Sequence, residues 1–221
     1  MTTAPRTAPL TVSGPAGHLE VLLDEPVGEI SVEHVAVVCH PHPLFGGTMT
    51  NKVVHILART FNDLGAPAVR FNFRGVGNSA GSHDDGRGET DDTLAMIDWA
   101  KTRWPDAKVW LAGFSFGAAM ALKASVARAS SQQPVDRLIT VAPALRWLTR
   151  MKEQENAPTP NCPWLIVQGD CDELVDAHAV QFWAESLSQP PDIKILAGAE
   201  HFFHGRLNDL RDAIKEWIGT P

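Results

Sequence analysis

Short apolar runs, partly β-branched, recur at residues 35–38, 68–73, 109–112, 138–141, 164–167 and 193–196. Apolar runs of this length are expected of buried strands. Between them the apolar spacing becomes helical. Val53, Leu57, Phe61 and Leu64 share one face, with Asn51 placed to cap the start and Gly65 to stop the end. Leu207, Leu210, Ile214, Trp217 and Ile218 form a second stripe, closed by Gly219 and Pro221. Strands alternating with helices predict an α/β fold with a mostly parallel sheet and helices on both faces. Upstream, segments 10–12 and 19–23 flank Gly14-Pro15-Ala16-Gly17 and predict an antiparallel hairpin extending one edge of the sheet. No internal repeat interrupts the pattern.

Composition narrows the reading. A chain of 221 residues that is 44% hydrophobic and 20% charged fits one domain over residues 1–221 better than two. The net charge of -7, with no basic run, argues against nucleic acid and against a polybasic membrane anchor, and favours a small-molecule partner. The first ten residues carry no apolar core of signal-peptide length, and no later run is long enough to span a bilayer, so a cytoplasmic protein is expected. Cys39, Cys162 and Cys171 are odd in number and lack C-x-x-C spacing, which suggests neither a disulfide framework nor a zinc site.

The chemistry concentrates at Gly113-Phe114-Ser115-Phe116-Gly117, between the apolar run 109–112 and a helix-forming run that begins Ala118-Ala119-Met120. Strand, sharp turn, helix is the setting of a nucleophile elbow, in which flanking glycines let backbones approach and the serine hydroxyl is pushed outward. Such a serine needs a base, and the base needs an anionic partner. Loops at strand C-terminal ends supply candidates: Asp170, Asp172 and Glu173 after the run 164–167, then His201 and His204 after the run 193–196.

Serine, acid, histidine is the α/β-hydrolase order, and with the elbow it makes the chain resemble that family, in particular its small single-domain bacterial serine esterases close to the dienelactone hydrolases. The resemblance covers nearly the whole chain and implies an α/β-hydrolase fold without cofactor. Gly169, Asp172 and Val175 match the family's Gly-x-x-Asp-x-x-Val pattern, which puts Asp172 ahead of Asp170 as the acid. Asp170 is then a turn residue and Glu173 an exposed loop charge. His201 directly follows the strand-end loop, as the family's base does, whereas His204 falls just inside the apparent start of the last helix. His18, His34, His55, His83 and His178 are expected away from the converging loops. Arg74-Gly75-Val76-Gly77-Asn78-Ser79 superficially resembles a dinucleotide loop, but Gly75, Gly77 and Gly81 have the wrong spacing and lead into the polar stretch 82–88. In this family such a segment is a structural loop beside the active site.

Acyl transfer also needs N–H donors for the developing oxyanion. Phe116, the residue after the nucleophile, is one. The second should come from loop 39–47, where Pro41 and Pro43 have no N–H; Leu44 is preferred and His42 is the alternative. His40 and His42 lack the further ligands a metal site requires. The stretch 142–162 has room for one short helix at 145–155 and a Pro-rich linker at 158–160, but not for a cap, so an open, lidless site is expected. Phe114, Phe116, Leu44, Phe45, Phe202 and Trp147 would wall it for an acyl or aryl group, some of them serving as core instead. The expected function is hydrolysis of small soluble carboxylic esters, thioesters among them, through an acyl-enzyme; a ligand-binding protein without catalysis and a peptidase are the alternatives.

Overall fold

The computed structural model describes residues 6–28, 31–148 and 159–219. Eight strands, β1 (Arg6–Gly14), β2 (Gly17–Glu25), β3 (His34–Cys39), β4 (Ala68–Phe71), β5 (Lys108–Phe114), β6 (Arg137–Val141), β7 (Trp164–Gly169) and β8 (Asp192–Leu196), form one sheet in the order β1-β2-β4-β3-β5-β6-β7-β8. The pairs β1–β2 and β2–β4 are antiparallel, and all others are parallel. The expected hairpin is therefore present at one edge, with Gly14 paired to Gly17 across its turn.

Five helices cover the sheet: α1 (Lys52–Asp63), α2 (Arg87–Arg103), α3 (Phe116–Ser130), α4 (Ala177–Glu185) and α5 (Leu207–Gly219). Two apolar cores lie on opposite faces of the sheet. One packs Met96, Ile97, Met120, Val180 and Trp183 of α2, α3 and α4 against it; the other packs Val53, Leu57, Phe61, Leu210 and Ile214 of α1 and α5. α1 begins as expected, with the Asn51 side chain accepting the Val53 N–H at 2.9 Å, and stops before Gly65 at φ 83°. Among the described residues no helix is long and apolar enough to cross a membrane.

Three expectations need adjustment. Strand β4 ends at Phe71, two residues early, because the Phe73 N–H turns away to the ring of His40. The stretch 82–88 is polar but helix α2 already starts at Arg87, held by the buried Glu89 carboxylate, which accepts the N–H groups of Asp84 (2.9 Å) and Gly86 (2.8 Å). The helix foreseen at 145–155 begins as a single 3-10 turn, Leu145–Trp147, and residues 149–158 lie outside the described part. Among the described residues there is no cap domain, and the connection from Val141 to Trp164 is too short to hold one.

Buried ion pairs brace the edge that carries the hairpin. Arg70 on β4 donates from Nε to Asp24 Oδ2 (2.6 Å) and from Nη2 to Asp24 Oδ1 (2.9 Å) on β2, while its Nη1 donates to the Met49 carbonyl (3.0 Å). Arg74 does the same to Asp92 of α2, and the Glu20 carboxylate accepts from the Asn72 amide and the Asn78 N–H. The Arg74–Ser79 segment is thereby tied to its neighbours and serves as a brace.

Candidate active site

Ser115 stands between β5 and α3 with φ 55° and ψ -114°, a conformation that residues with a side chain rarely adopt. Its neighbours explain why the turn closes. A Cβ on Gly113 would lie 2.2 Å from the Gly117 carbonyl oxygen, and one on Gly117 would lie 2.4 Å from that of His40. Only glycine fits at either place.

His201 reaches this turn from the β8–α5 connection. Its Nε2 lies 3.1 Å from Ser115 Oγ and its Nδ1 lies 2.8 Å from Asp172 Oδ2. Both side chains are almost wholly shielded, at 3% and 0% exposure. Burial would by itself raise the Asp172 pKa, but the hydrogen bond and charge of His201, with the Val175 and Leu174 N–H groups (2.8 and 2.9 Å), outweigh it and hold the carboxyl below its ordinary value. A carboxylate that accepts Nδ1–H leaves Nε2 as the basic nitrogen facing the hydroxyl.

The competing residues lie elsewhere. Asp170 accepts the Gly198 N–H at 2.6 Å, as a turn residue does. His204 is exposed, 3.3 Å from Glu200, and lies in the turn before α5, which starts at Leu207, rather than just inside that helix. Glu173 is more than a loop charge, because its carboxylate accepts the His201 N–H at 3.2 Å. Gln168, unnoticed in the sequence, is fully buried at the end of β7 and donates to Asp172 Oδ2 at 2.9 Å. Its apolar surroundings hid it in a run that reads as strand.

The loop after β3 is compact. The Phe45 and Gly47 N–H groups donate to the His42 carbonyl, at 3.1 and 3.0 Å, and the Gly46 N–H donates to that of Pro43 at 3.2 Å. The Leu44 N–H donates to His42 Nδ1 at 3.2 Å. Leu44, the preferred second oxyanion donor, is thus already committed within the turn, and its side chain is 69% exposed and outside the cleft. With prolines at 41 and 43, His42 carries the one N–H of residues 41–47 that makes no bond inside the loop. Phe116 opens α3, where N–H groups point free of the helix and its dipole favours negative charge.

His40 anchors the loop from beneath. Its Nδ1–H donates to the Pro41 carbonyl (2.6 Å) and its Nε2 accepts the Phe73 N–H (3.0 Å), and burial pushes its pKa down to about 3. His83, expected to be remote, instead packs its ring 5.0 Å from that of His42 and 5.9 Å from that of Phe116, with Nδ1 2.8 Å from Glu89 Oε1 but out of line for a hydrogen bond. Among the described residues no group of three or more His, Cys, Asp or Glu side chains is arranged to hold a metal ion.

Above these residues opens a cleft of about 590 Å³, a size that suits a small ligand. Phe45, Phe116, Trp147 and Phe202 line it, whereas Phe114 lies beneath, its ring 5.0 Å from that of His201. Arg146 stands at the rim over Phe45 and Trp147, 6.0 and 5.5 Å from their ring centres. A second cleft of about 660 Å³, at the amino ends of β5 to β7, is lined by Asp98, Lys108, Arg128 and Asp136 and contains no serine.

Comparison with known proteins agrees with this architecture. Residues 37–160 match the family described as alpha/beta hydrolase fold. The chain is 42% identical to an alpha-beta serine hydrolase homologue from Coxiella burnetii, over 95% of this chain and 96% of that one, with a TM-score of 0.86. It is 44% identical to a serine hydrolase without lid from Xanthomonas campestris, over 96% and 93% of the two chains, with a TM-score of 0.84. A dienelactone hydrolase from Anabaena variabilis, 17% identical over 97% of each chain, shares the fold with a TM-score of 0.77.

Proposed function

Because the chain belongs to the α/β-hydrolase family, we propose that it is a serine hydrolase of small carboxylic esters, thioesters among them, with Ser115 as nucleophile, His201 as base and Asp172 as its orienting acid. The observation that carries the reading is the unbroken line from Ser115 Oγ through His201 to Asp172, with contacts of 3.1 and 2.8 Å, at the floor of the aromatic-lined cleft.

In the first half-reaction Ser115 Oγ attacks the ester carbonyl while its proton passes to His201 Nε2, and Asp172 stabilises the imidazolium that forms. The carbonyl oxygen becomes an oxyanion facing the N–H groups of Phe116 and His42. Collapse of the adduct breaks the bond to the alcohol or thiol, which leaves with the His201 proton. Water then repeats the sequence on the acyl-enzyme, losing a proton to His201 and releasing the acid and Ser115. Phe45, Phe116, Trp147 and Phe202 suit a short to medium acyl or aryl group, and a mouth with no lid among the described residues suits substrates that arrive in solution.

A fluorophosphonate should label the protein once per chain, and Ser115→Ala should abolish both labelling and turnover of p-nitrophenyl acetate. Labelling that persists in Ser115→Ala overturns the assignment. A folded wild type that binds esters without turnover or labelling would make the cleft a binding site instead.

A further inference from the structure

Gln168 is the last residue but one of β7 and has no exposed surface. Its Nε2 lies 2.9 Å from Asp172 Oδ2, 3.1 Å from the Val175 carbonyl and 3.3 Å from the Gly169 carbonyl. All three partners are acceptors, so this end of the amide is its nitrogen. The other end, Oε1, is buried with no partner. An apolar side chain would avoid that cost, so the position is explained by what the NH2 group does.

Resting on the reading of Asp172 as the acid, we infer that Gln168 is a positioning residue, whose amide completes the donor set that keeps Asp172 ionised and aimed at His201. The accounting is complete at the carboxylate. Oδ2 accepts from His201 Nδ1 and Gln168 Nε2, and Oδ1 accepts from the N–H groups of Leu174 and Val175. Two oxygens offer about four lone-pair sites, and four donors fill them, which leaves no place for a proton. The same NH2 joins the end of β7 to Val175, so the turn carrying Asp172 is closed around its own side chain.

Removing this donor empties one site on the oxygen that His201 uses. The carboxylate becomes more basic and free to turn, and the His201–Asp172 pair then takes up a proton at higher pH. Asp170, Cys171, Glu173 and Asp176 on the same loop, Glu200 and His204 on the β8–α5 connection, and His42 and Arg146, which line the same cleft as His201, are further ionisable groups around the pair, and all are unchanged by substitution at 168.

Gln168→Met keeps the length and removes the donor, whereas Gln168→Glu keeps the shape and adds a second carboxyl beside Asp172. In Gln168→Met, kcat on p-nitrophenyl acetate should fall roughly tenfold with KM within about twofold, and the acid limb of kcat/KM should move up by roughly half to one pH unit. Gln168→Glu should move the limb further, because a like charge disfavours a second ionisation. A folded variant with the wild-type limb and kcat, or with a change in KM alone, overturns the inference. If Gln168→Met does not fold, the limb of Gln168→Glu decides. Loss of turnover and labelling in the wild type would instead overturn the hydrolase reading and this inference with it, whereas active wild type with unaltered variants overturns this inference alone.

Discussion

His40 makes the stability of the fold depend on pH in a window set by one ring. In the folded protein its pKa lies at about 3, against an ordinary imidazole value of 6.5, because burial disfavours the charge and a second ring proton would face the Phe73 N–H. The unfolded chain therefore binds one more proton than the folded one between those values, and stability rises with pH across that interval. The slope is about 1.4 kcal/mol per pH unit, so acidification from pH 7 to pH 5 should remove about 2 kcal/mol through this residue alone. Urea unfolding, followed through the tryptophan fluorescence of seven indoles, measures it. His40→Gln should be less stable at pH 7 by about 1–3 kcal/mol, since the ring's two hydrogen bonds are disturbed, and the gap should narrow by about 2 kcal/mol at pH 5. His34, His42 and His55, also held below the ordinary value by burial, are common to both proteins and cancel in the difference. A gap that stays constant from pH 7 to pH 5 would refute the reasoning.

Two further substitutions test the site. Asp172→Asn should lower kcat on p-nitrophenyl acetate by about 10⁴-fold, because the amide favours the wrong tautomer of His201; a loss of less than tenfold would remove Asp172 from its role. In Gly117→Ala the new methyl would meet the backbone oxygens of His40 and Cys39 at 2.4 and 2.5 Å. The start of α3 must shift, so fluorophosphonate labelling should slow and the urea midpoint should fall by the equivalent of about 1–3 kcal/mol; unchanged values for both would argue against the close approach.

The central parallel strands and the two amphipathic helices α1 and α5 were legible because burial on both faces writes continuous apolar runs and single stripes, while the edge strand β8 alternates exposed and partly buried residues. The turns that carry Ser115 and Asp172 were legible as motifs because their close backbone approaches demand Gly113, Gly117 and Gly169, whereas His201 is marked only by its place after the run 193–196. Helix α2 was not, since its inward face carries Glu89, which accepts loop N–H groups, Asp92, which accepts from Arg74, and Thr93, whose hydroxyl donates to the Glu89 carbonyl, and these polar residues break the apolar stripe. The place of His83 follows from that same helix, which brings the preceding loop against His42. At Leu44 the spacing does not show that the His42 ring folds back to accept the Leu44 N–H. Glu173 acts through a contact with the β8–α5 connection, far away in sequence, and Gln168 acts through the folding of its own loop back on the end of β7, so no local pattern marks either.

On the proposed reading of Ser115 as nucleophile, the backbone there sets stability and activity against each other. A residue with a Cβ at φ 55° and ψ -114° costs about 1–3 kcal/mol, a sizeable share of the 5–15 kcal/mol that about this size of domain commands in total. Glycine at 115 would relieve that strain, so fold stability alone favours losing the side chain there. If the hydroxyl is the proposed nucleophile, it stands at this turn against the direction of greater stability, and replacing it by glycine would give a sturdier and chemically silent version of the protein.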